Sequence, residues 1–560
     1  VSGTTSAAWI ATNGDFNTAG NWQETVTGGL IVHAVPAAGT NATIPGAANS
    51  FYTVTFASGA DTVNTLNTTY TELAMSGGVL ALAFNSSLSN STNEAVVQSG
   101  GLLRFDNGLS LNQLSNVSAA GGAIAQTGGT IQVEAGILDV SGNSSFAGTI
   151  TGGATPLTGG ALNLDGAATF TFNPGVVLTI GTINVEENVN VLLKTNLTDP
   201  GAYEGGNSGT LFLGGNTFTL NDSTTPTDTL QHLTTGGTID NEAGLALANN
   251  ALDNGAVLNN TGVLSFEDTP YTLGTGGIAS ATLNNQTTGT IEFIDGGIIN
   301  TSGAATIVNA GLILAAGSGN GDQITANIAN TGSIIAETGN TFEFDGALSN
   351  TGTLGGGGTI LNRLGVFTLG AGSVLNSITY SIQQSATTSL ATSLAYAGNL
   401  LIGGAEMNLN GNNFAVSGSV VFGGTFMALV NGPGTFTTSG AGSVSGSLTQ
   451  GLQVAGGAAL VNTGTMNAGG SVLVGDTSST VSTITNTADG VWNFTTGNNI
   501  NVGSNLGSSF NNAGLFQSNG HDNVTVASAF NNTGTVADVY AGTTLTFQGG
   551  GVFGGVLTGA

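Results

Sequence analysis

Few side chains in this 560-residue chain are able to do chemistry: Lys and Arg together number 3, His 3, Asp and Glu 31, and Cys is absent. The basic residues, Arg104, Lys194 and Arg363, sit in no cluster, although Arg104 and Asp106 are placed to pair locally. A lyase needs a basic proton acceptor beside carboxylates that hold Ca²⁺, and the sequence does not group such residues. Glycoside hydrolysis needs two carboxyl groups at a fixed separation. Glu186-Glu187 and Glu267-Asp268 are chain neighbours, and neighbours within a strand face opposite sides. His33, His232 and His521 lie outside any metal-ligand spacing. There is no Gly-x-Ser-x-Gly elbow with a partnered His and no P-loop Gly-Lys-Ser or Gly-Lys-Thr. Asp15-Phe16-Asn17 with Gly20 has the oxygen atoms of a Ca²⁺ loop but lacks the following Glu of an EF-hand. An Asx-type turn beneath a tryptophan is the expected role, and Ca²⁺ is the single cofactor considered. These residues point to a protein that is not an enzyme, with a polysaccharide lyase or hydrolase as the least favoured alternative.

What the sequence does contain is a repeat. Ile328-Ala329-Asn330-Thr331-Gly332-Ser333-Ile334 returns as Leu348-Ser349-Asn350-Thr351-Gly352-Thr353-Leu354. Its asparagines, Asn260, Asn285, Asn309, Asn330 and Asn350, step by 25, 24, 21 and 20 residues, and Asn462, Asn486, Asn512 and Asn532 by 24, 26 and 20. Periods of this size mark a solenoid, in which each repeat is one turn of chain and buries its apolar face only by stacking on its neighbours. Two residues after each Gly stands Leu264, Ile291, Ile313, Ile334, Leu354, Met466, Trp492, Phe516 or Val536, which predicts an inward-facing column. Alternation with β-branched flanks predicts strands on both sides of the corner. The Gly is expected to supply a positive φ, and the Asn to donate its amide to the Asn of the next turn. The fold class is therefore all-β, a parallel β-helix (β-solenoid) with an N-terminal capping module.

Composition narrows the partners. A formal net charge of −28 excludes the electrostatic footprint of a nucleic-acid binder and disfavours anionic membrane surfaces. No long apolar run predicts insertion in a membrane. Only 6% of residues are charged while 40% are hydrophobic, so a core is available and solubility falls to Thr, Ser and Asn. Such a surface changes little on protonation, and tolerance of acid is expected.

The chain divides into residues 1–70, a β-rich head; 71–376, a first solenoid segment; 377–399, an irregular coil or joint; and 400–560, a second solenoid segment that stops mid-pattern without a cap. In 71–240 the corners are Gly-Gly pairs, as at Gly77-Gly78, Gly100-Gly101, Gly128-Gly129 and Gly159-Gly160. Residues 194–232, with Lys194, Pro200, Tyr203, Pro226 and His232, suggest a protruding loop.

In the head, Gly14-Asp15-Phe16-Asn17-Thr18-Ala19-Gly20-Asn21-Trp22 is followed by Val35-Pro36-Ala37-Ala38-Gly39, Ala42-Thr43-Ile44 and Tyr52-Thr53-Val54-Thr55-Phe56. This order resembles the opening module of large bacterial surface proteins of the autotransporter-adhesin type, over about the first 80 residues. The resemblance implies a right-handed parallel β-helix passenger outside the cell, on the surface or in a matrix. The expected function is that of a structural, self-associating rod in filaments, biofilm matrix or adhesion. At ~4.8 Å per turn, about 22 turns predict roughly 100 Å. Its expected partner is a second copy, head to tail through Trp9 and Trp22 against Phe547 and Phe553, or the rest of a longer parent chain. The alternative is a stalk that binds polysaccharide or a host surface through loops near Tyr203 or His521.

Overall fold

The computed structural model describes residues 5–559, apart from 27–28, 48–50, 91–93, 114–122, 135, 153–159, 200, 206–208, 222–227, 231–232, 248–250, 268–269, 275–280, 295, 302–304, 318–320, 447–449, 478–479, 496–499, 503–506 and 521. Among the described residues the regular structure is strand, apart from one 3₁₀ turn at Ala19–Asn21. The fold is a right-handed parallel β-solenoid of about 21 turns. It forms two compact units, Val1–Asn284 with Thr301–Ala305, and Asn285–Asn300 with Thr306–Ala560.

The first unit opens with a lid. Thr5–Trp9 pairs antiparallel with Trp22–Thr25 and parallel with Thr40–Pro45, the start of the stacked sheet. Trp9 lies opposite Trp22 in register, their rings edge to face at 5.0 Å, and Phe16 meets Trp22 at 4.9 Å and Phe56 of the coil beyond at 5.5 Å. Asp15 Oδ1 accepts the Asn17 N–H at 2.8 Å, and Trp22 Nε1–H donates to the Phe16 carbonyl at 2.8 Å. The Asx turn under a tryptophan is therefore present. Beyond it the apolar residues of the Gly-Gly coils stack in columns such as Leu80, Leu103, Ile131, Ile150 and Leu178.

The described residues of 194–232 do not form the protruding loop expected of them. Leu197–Asp199, Ala202–Gly205, Thr210–Phe212 and Thr217–Leu220 are stacked strands, and Tyr203 is buried with its ring edge to face on Phe218 at 5.2 Å. Alternation at Leu211 and Leu213, and at Phe218 and Leu220, each with its residues buried, outweighs the loop-like composition. Pro200, Pro226 and His232 lie outside the described residues.

In the second unit the turns cover three faces. Asn327–Asn330, Ser333–Ala336 and Thr341–Phe344 make one turn, and in the next Leu348–Asn350 is followed by Thr353–Asn362, which runs unbroken over two faces. Ile307, Ile328, Leu348 and Phe367 form one buried column and Ile313, Ile334, Leu354 and Leu375 another. Each side chain so buried contributes roughly 1.5–3 kcal/mol, and only the neighbouring turn makes that burial possible. Residues 377–399, expected to be irregular, carry the strands Val374–Gln383, Thr387–Leu390 and Leu394–Tyr396, with Tyr380 and Tyr396 buried.

Candidate functional site

The repeated asparagines are buried and linked through their side chains. Asn285 Nδ2 donates to Asn309 Oδ1 at 2.7 Å, Asn309 to Asn330 at 2.6 Å and Asn330 to Asn350 at 2.6 Å. A second ladder runs Asn462 to Asn486 at 2.8 Å, Asn486 to Asn512 at 2.8 Å and Asn512 to Asn532 at 2.7 Å. In the first unit Asn241 donates to Asn260 at 2.7 Å. An amide is both donor and acceptor, so each Asn can satisfy the neighbour on either side and still has an N–H to spare. The spare N–H turns to corner carbonyls, as from Asn309 to Gly311 O at 3.3 Å and to Ser333 O at 3.2 Å. The first ladder ends on Ser373, whose Oγ accepts from Asn350 Nδ2 at 3.1 Å and donates to the Asn350 carbonyl at 2.7 Å. Net, such bonds contribute about 0.5–1.5 kcal/mol each, and an unmade one would cost about 1–3 kcal/mol in a buried site.

The corner glycines hold for a different reason from the one expected. Gly262, Gly311, Gly332, Gly352, Gly464, Gly490, Gly514 and Gly534 have no positive φ. A Cβ at Gly332 would instead lie 2.1 Å from the Gly311 carbonyl oxygen, and one at Gly352 2.0 Å from that of Gly332. The turns stack so closely that each corner leaves no room for a methyl group. Positive φ does occur at the second residue of the Gly-Gly corners, with Gly78 at 69°, Gly101 at 72°, Gly129 at 79° and Gly160 at 67°.

Several columns escape the sequence reading. Asn241 starts the ladder of the first unit although Ala243 stands where the frame has Gly. The residue after the Asn is usually Thr, and its hydroxyl donates to the carbonyl one turn back, as from Thr331 to Asn309 O at 3.2 Å and from Thr487 to Asn462 O at 3.1 Å. Buried Gln98 and Gln126 make a glutamine counterpart, Gln126 Nε2 donating to Gln98 Oε1 at 3.2 Å. The repeated Val96-x-Gln98-x-Gly100-Gly101 and Ile124-x-Gln126-x-Gly128-Gly129 are its visible signal. Within the second unit the two ladders climb different corners. Asn350 ends a face that continues as Val366–Leu369, Thr387–Leu390 and Glu406–Asn408. Asn462 ends a face that begins at Leu394–Tyr396. The stretch read as a joint is where the second ladder's face begins.

Of the residues expected at an assembly contact, Trp9 and Trp22 are buried inside the head. Among the described residues of the head, Ile10, Leu30, Ile31 and Phe51 are the exposed large hydrophobic ones. Phe553 is exposed and Phe547 half-buried, and both pack on Phe530 of the turn below, at 5.8 and 4.7 Å. The strand Val556–Gly559 pairs with Thr535–Asp538 on one side, and its other edge has no partner among the described residues.

The remaining titratable residues are scattered. His33 Nδ1–H donates to the Trp22 carbonyl at 2.8 Å, while His521 and Asp268 lie outside the described residues. Glu186 and Glu187 follow the strand Thr182–Val185 in a turn. Arg104 pairs with Asp106 at 3.3 Å. Arg363 bridges Glu343, at 2.7 Å, and Asp345, and Gln323 Nε2 donates to both carboxylates at 2.8 Å. No group of three or more His, Cys, Asp or Glu among the described residues is placed to hold a metal ion.

Burial sets the pH behaviour. Desolvation, the largest cause in each case, raises the carboxyls of Asp61, Glu72, Asp139 and Glu343 above their ordinary values. Asp15, Glu94, Asp165 and Asp345 respectively add to the rise, and Asn163 opposes it at Asp139, as Arg363 and Gln323 do at Glu343. A raised folded pKa means that the folded chain holds its proton more tightly. Its stabilising contribution is complete below the ordinary carboxylate value and is lost as pH rises through the shifted one. The melting temperature is therefore expected to hold or rise between about pH 7 and about pH 4.5. Calorimetry at the two pH values checks this, and a clear fall in acid would contradict it.

On the outside of the first unit, the corner after Val79–Leu82 and the corners stacked on it open a cleft of about 350 Å³ lined by Asn85, Asn107, Gly108, Gly136, Ile137, Asp139 and Asn163. Asn163 Nδ2 donates to Asp139 Oδ1 at 2.9 Å, and Asn163 Oδ1 is buried without a hydrogen-bond partner. Comparison with known proteins finds no matching family, no matching curated protein and no matching solved structure.

Proposed function

We propose that the protein is a non-enzymatic structural solenoid of the bacterial cell surface or extracellular matrix, working through stiffness and self-association. The observation that carries this reading is the pair of buried amide ladders in the second unit, which tie successive turns through their interior from Asn285 to Asn350 and from Asn462 to Asn532. Side-chain amides there add to the backbone ladders already joining the same turns, a construction suited to resisting extension. The low share of charged residues, 6%, and the resemblance of residues 14–56 to bacterial surface modules support a place outside the cell. Val552, Phe553, Val556 and Leu557 are exposed beside a strand edge that has no partner among the described residues. Such an edge takes another strand readily, from a second copy or from further chain.

Two measurements test the reading. Pulled from its ends, the chain should release about one turn of some 20 residues at a time, roughly 70 Å of contour per step. A single release of the whole chain at low force would overturn it. In negative-stain images at micromolar concentration, end-joined particles are expected, and Leu557→Lys should return them to single particles. Single particles in the unmodified protein would remove self-association and leave further chain as the partner of that edge.

A further inference from the structure

The cleft at the stacked corners of the first unit has features that a load-bearing role does not use. Its volume, about 350 Å³, lies within the roughly 300–1,000 Å³ of small-ligand sites. Its polar lining consists of amides and one carboxylate, from Asn85, Asn107, Asn163 and Asp139. Asp139 receives one hydrogen bond, from Asn163 Nδ2, and a carboxylate can accept about four.

An apolar surface accompanies these groups. Ile137, in the lining, is 50% exposed, and Phe84, next to Asn85 in the chain, is 56% exposed. No Lys or Arg lines the cleft, and Arg104, whose corner is stacked nearby, is engaged by Asp106. A ligand that fits this set offers many hydroxyls to amides and a carboxylate, lays a C–H face on apolar side chains, and carries no negative charge.

We propose that this cleft binds a neutral polysaccharide. Hydroxyls of a sugar ring donate to the Asp139 carboxylate, and the Asn85 amide donates to ring or hydroxyl oxygen. The apolar face of the ring lies against Ile137, with Phe84 extending that surface to a neighbouring ring. Uronic acids and sulfated sugars are disfavoured because Asp139 repels them and no cation compensates. This goes beyond the structural role and stands on a different surface from the internal ladders.

The test is affinity electrophoresis of the full chain in native gels containing laminarin, dextran or hydroxyethyl cellulose, with alginate and heparin as anionic counterparts. Retardation by at least one neutral polymer and by neither anionic one is expected. Asp139→Ala should weaken it about tenfold, the effect of losing a hydrogen bond to a charged group, and Ile137→Ser should weaken it with melting unchanged. The proposal is overturned if no neutral polymer retards the protein, if an anionic one retards it more strongly, or if both variants migrate like the unmodified chain. Any of these results leaves the pulling experiment, and hence the structural role, unaffected.

Discussion

Asn330→Asp is expected to destabilise the folded chain by about 3–5 kcal/mol at neutral pH, the range for a buried charge left without compensation, and to regain most of that in acid. Asn330 accepts from Asn309 at 2.6 Å and donates to Asn350 at 2.6 Å. A carboxylate keeps the first bond but has no hydrogen to give to Asn350 Oδ1 or to the Gly332 carbonyl, the latter 3.4 Å from Asn330 Nδ2. It would fold only by burying an unpaired charge or by taking up a proton, which restores one O–H donor. Its folded pKa is therefore raised, so the deficit exists above that pKa and fades as pH falls. Urea denaturation of variant and unmodified chain at pH 7 and at pH 4 measures the difference directly. A deficit below about 1 kcal/mol, or one equal at both pH values, would show that the amide chain does not carry the stacking.

The second large effect concerns a methyl group. Gly352→Ala is expected to cost about 3 kcal/mol or more, at the upper end for overpacking, because its Cβ would stand 2.0 Å from the Gly332 oxygen and 2.7 Å from the Thr331 carbonyl carbon. Both are backbone atoms, and they can move only if the turns part. Gly20→Ala is the matched control: nothing lies within 4 Å of the added carbon, φ there is not positive, and a change within about 0.5 kcal/mol is expected. Comparable losses in the two variants would mean that corner spacing is unimportant. Circular dichroism melts of both report the result.

How much of this was legible in the sequence depends on which force fixed each feature. The solenoid, the inward burial of Leu264 to Leu354 and of Met466 to Val536 and the side-chain link between successive Asn were readable, because period and chemical complementarity lie along the chain; that the two sets line different faces, Leu354 stacking on Leu375 and Met466 on the column of Tyr380 and Ile360, was not. The reason for the corner Gly was not readable. Positive φ is a local property, whereas a Cβ at Gly332 is excluded by the Gly311 oxygen 21 residues earlier. Tyr203 was misread as a loop residue for a related cause. Its burial depends on Phe218 in the next turn, and composition alone cannot report a neighbour of that kind. The cleft is the extreme case. Asn85, Asn107, Asp139 and Asn163 belong to successive turns, and nothing in the order of residues announces that they share one wall.

The direction of the amide ladders has a consequence for how such a chain changes length. In each of them the donor belongs to the earlier turn and the acceptor to the later one. A duplicated turn therefore arrives with a free acceptor on one side and a free donor on the other, and slots into the series with no mismatch at either junction. A deleted turn closes up equally well. A gain or loss of part of a turn breaks the chain of amides and drives a Cβ into a carbonyl. Tandem duplication in whole periods is thus the one edit the architecture accepts freely, and gene copies differing in the number of turns are the variation to look for among natural forms.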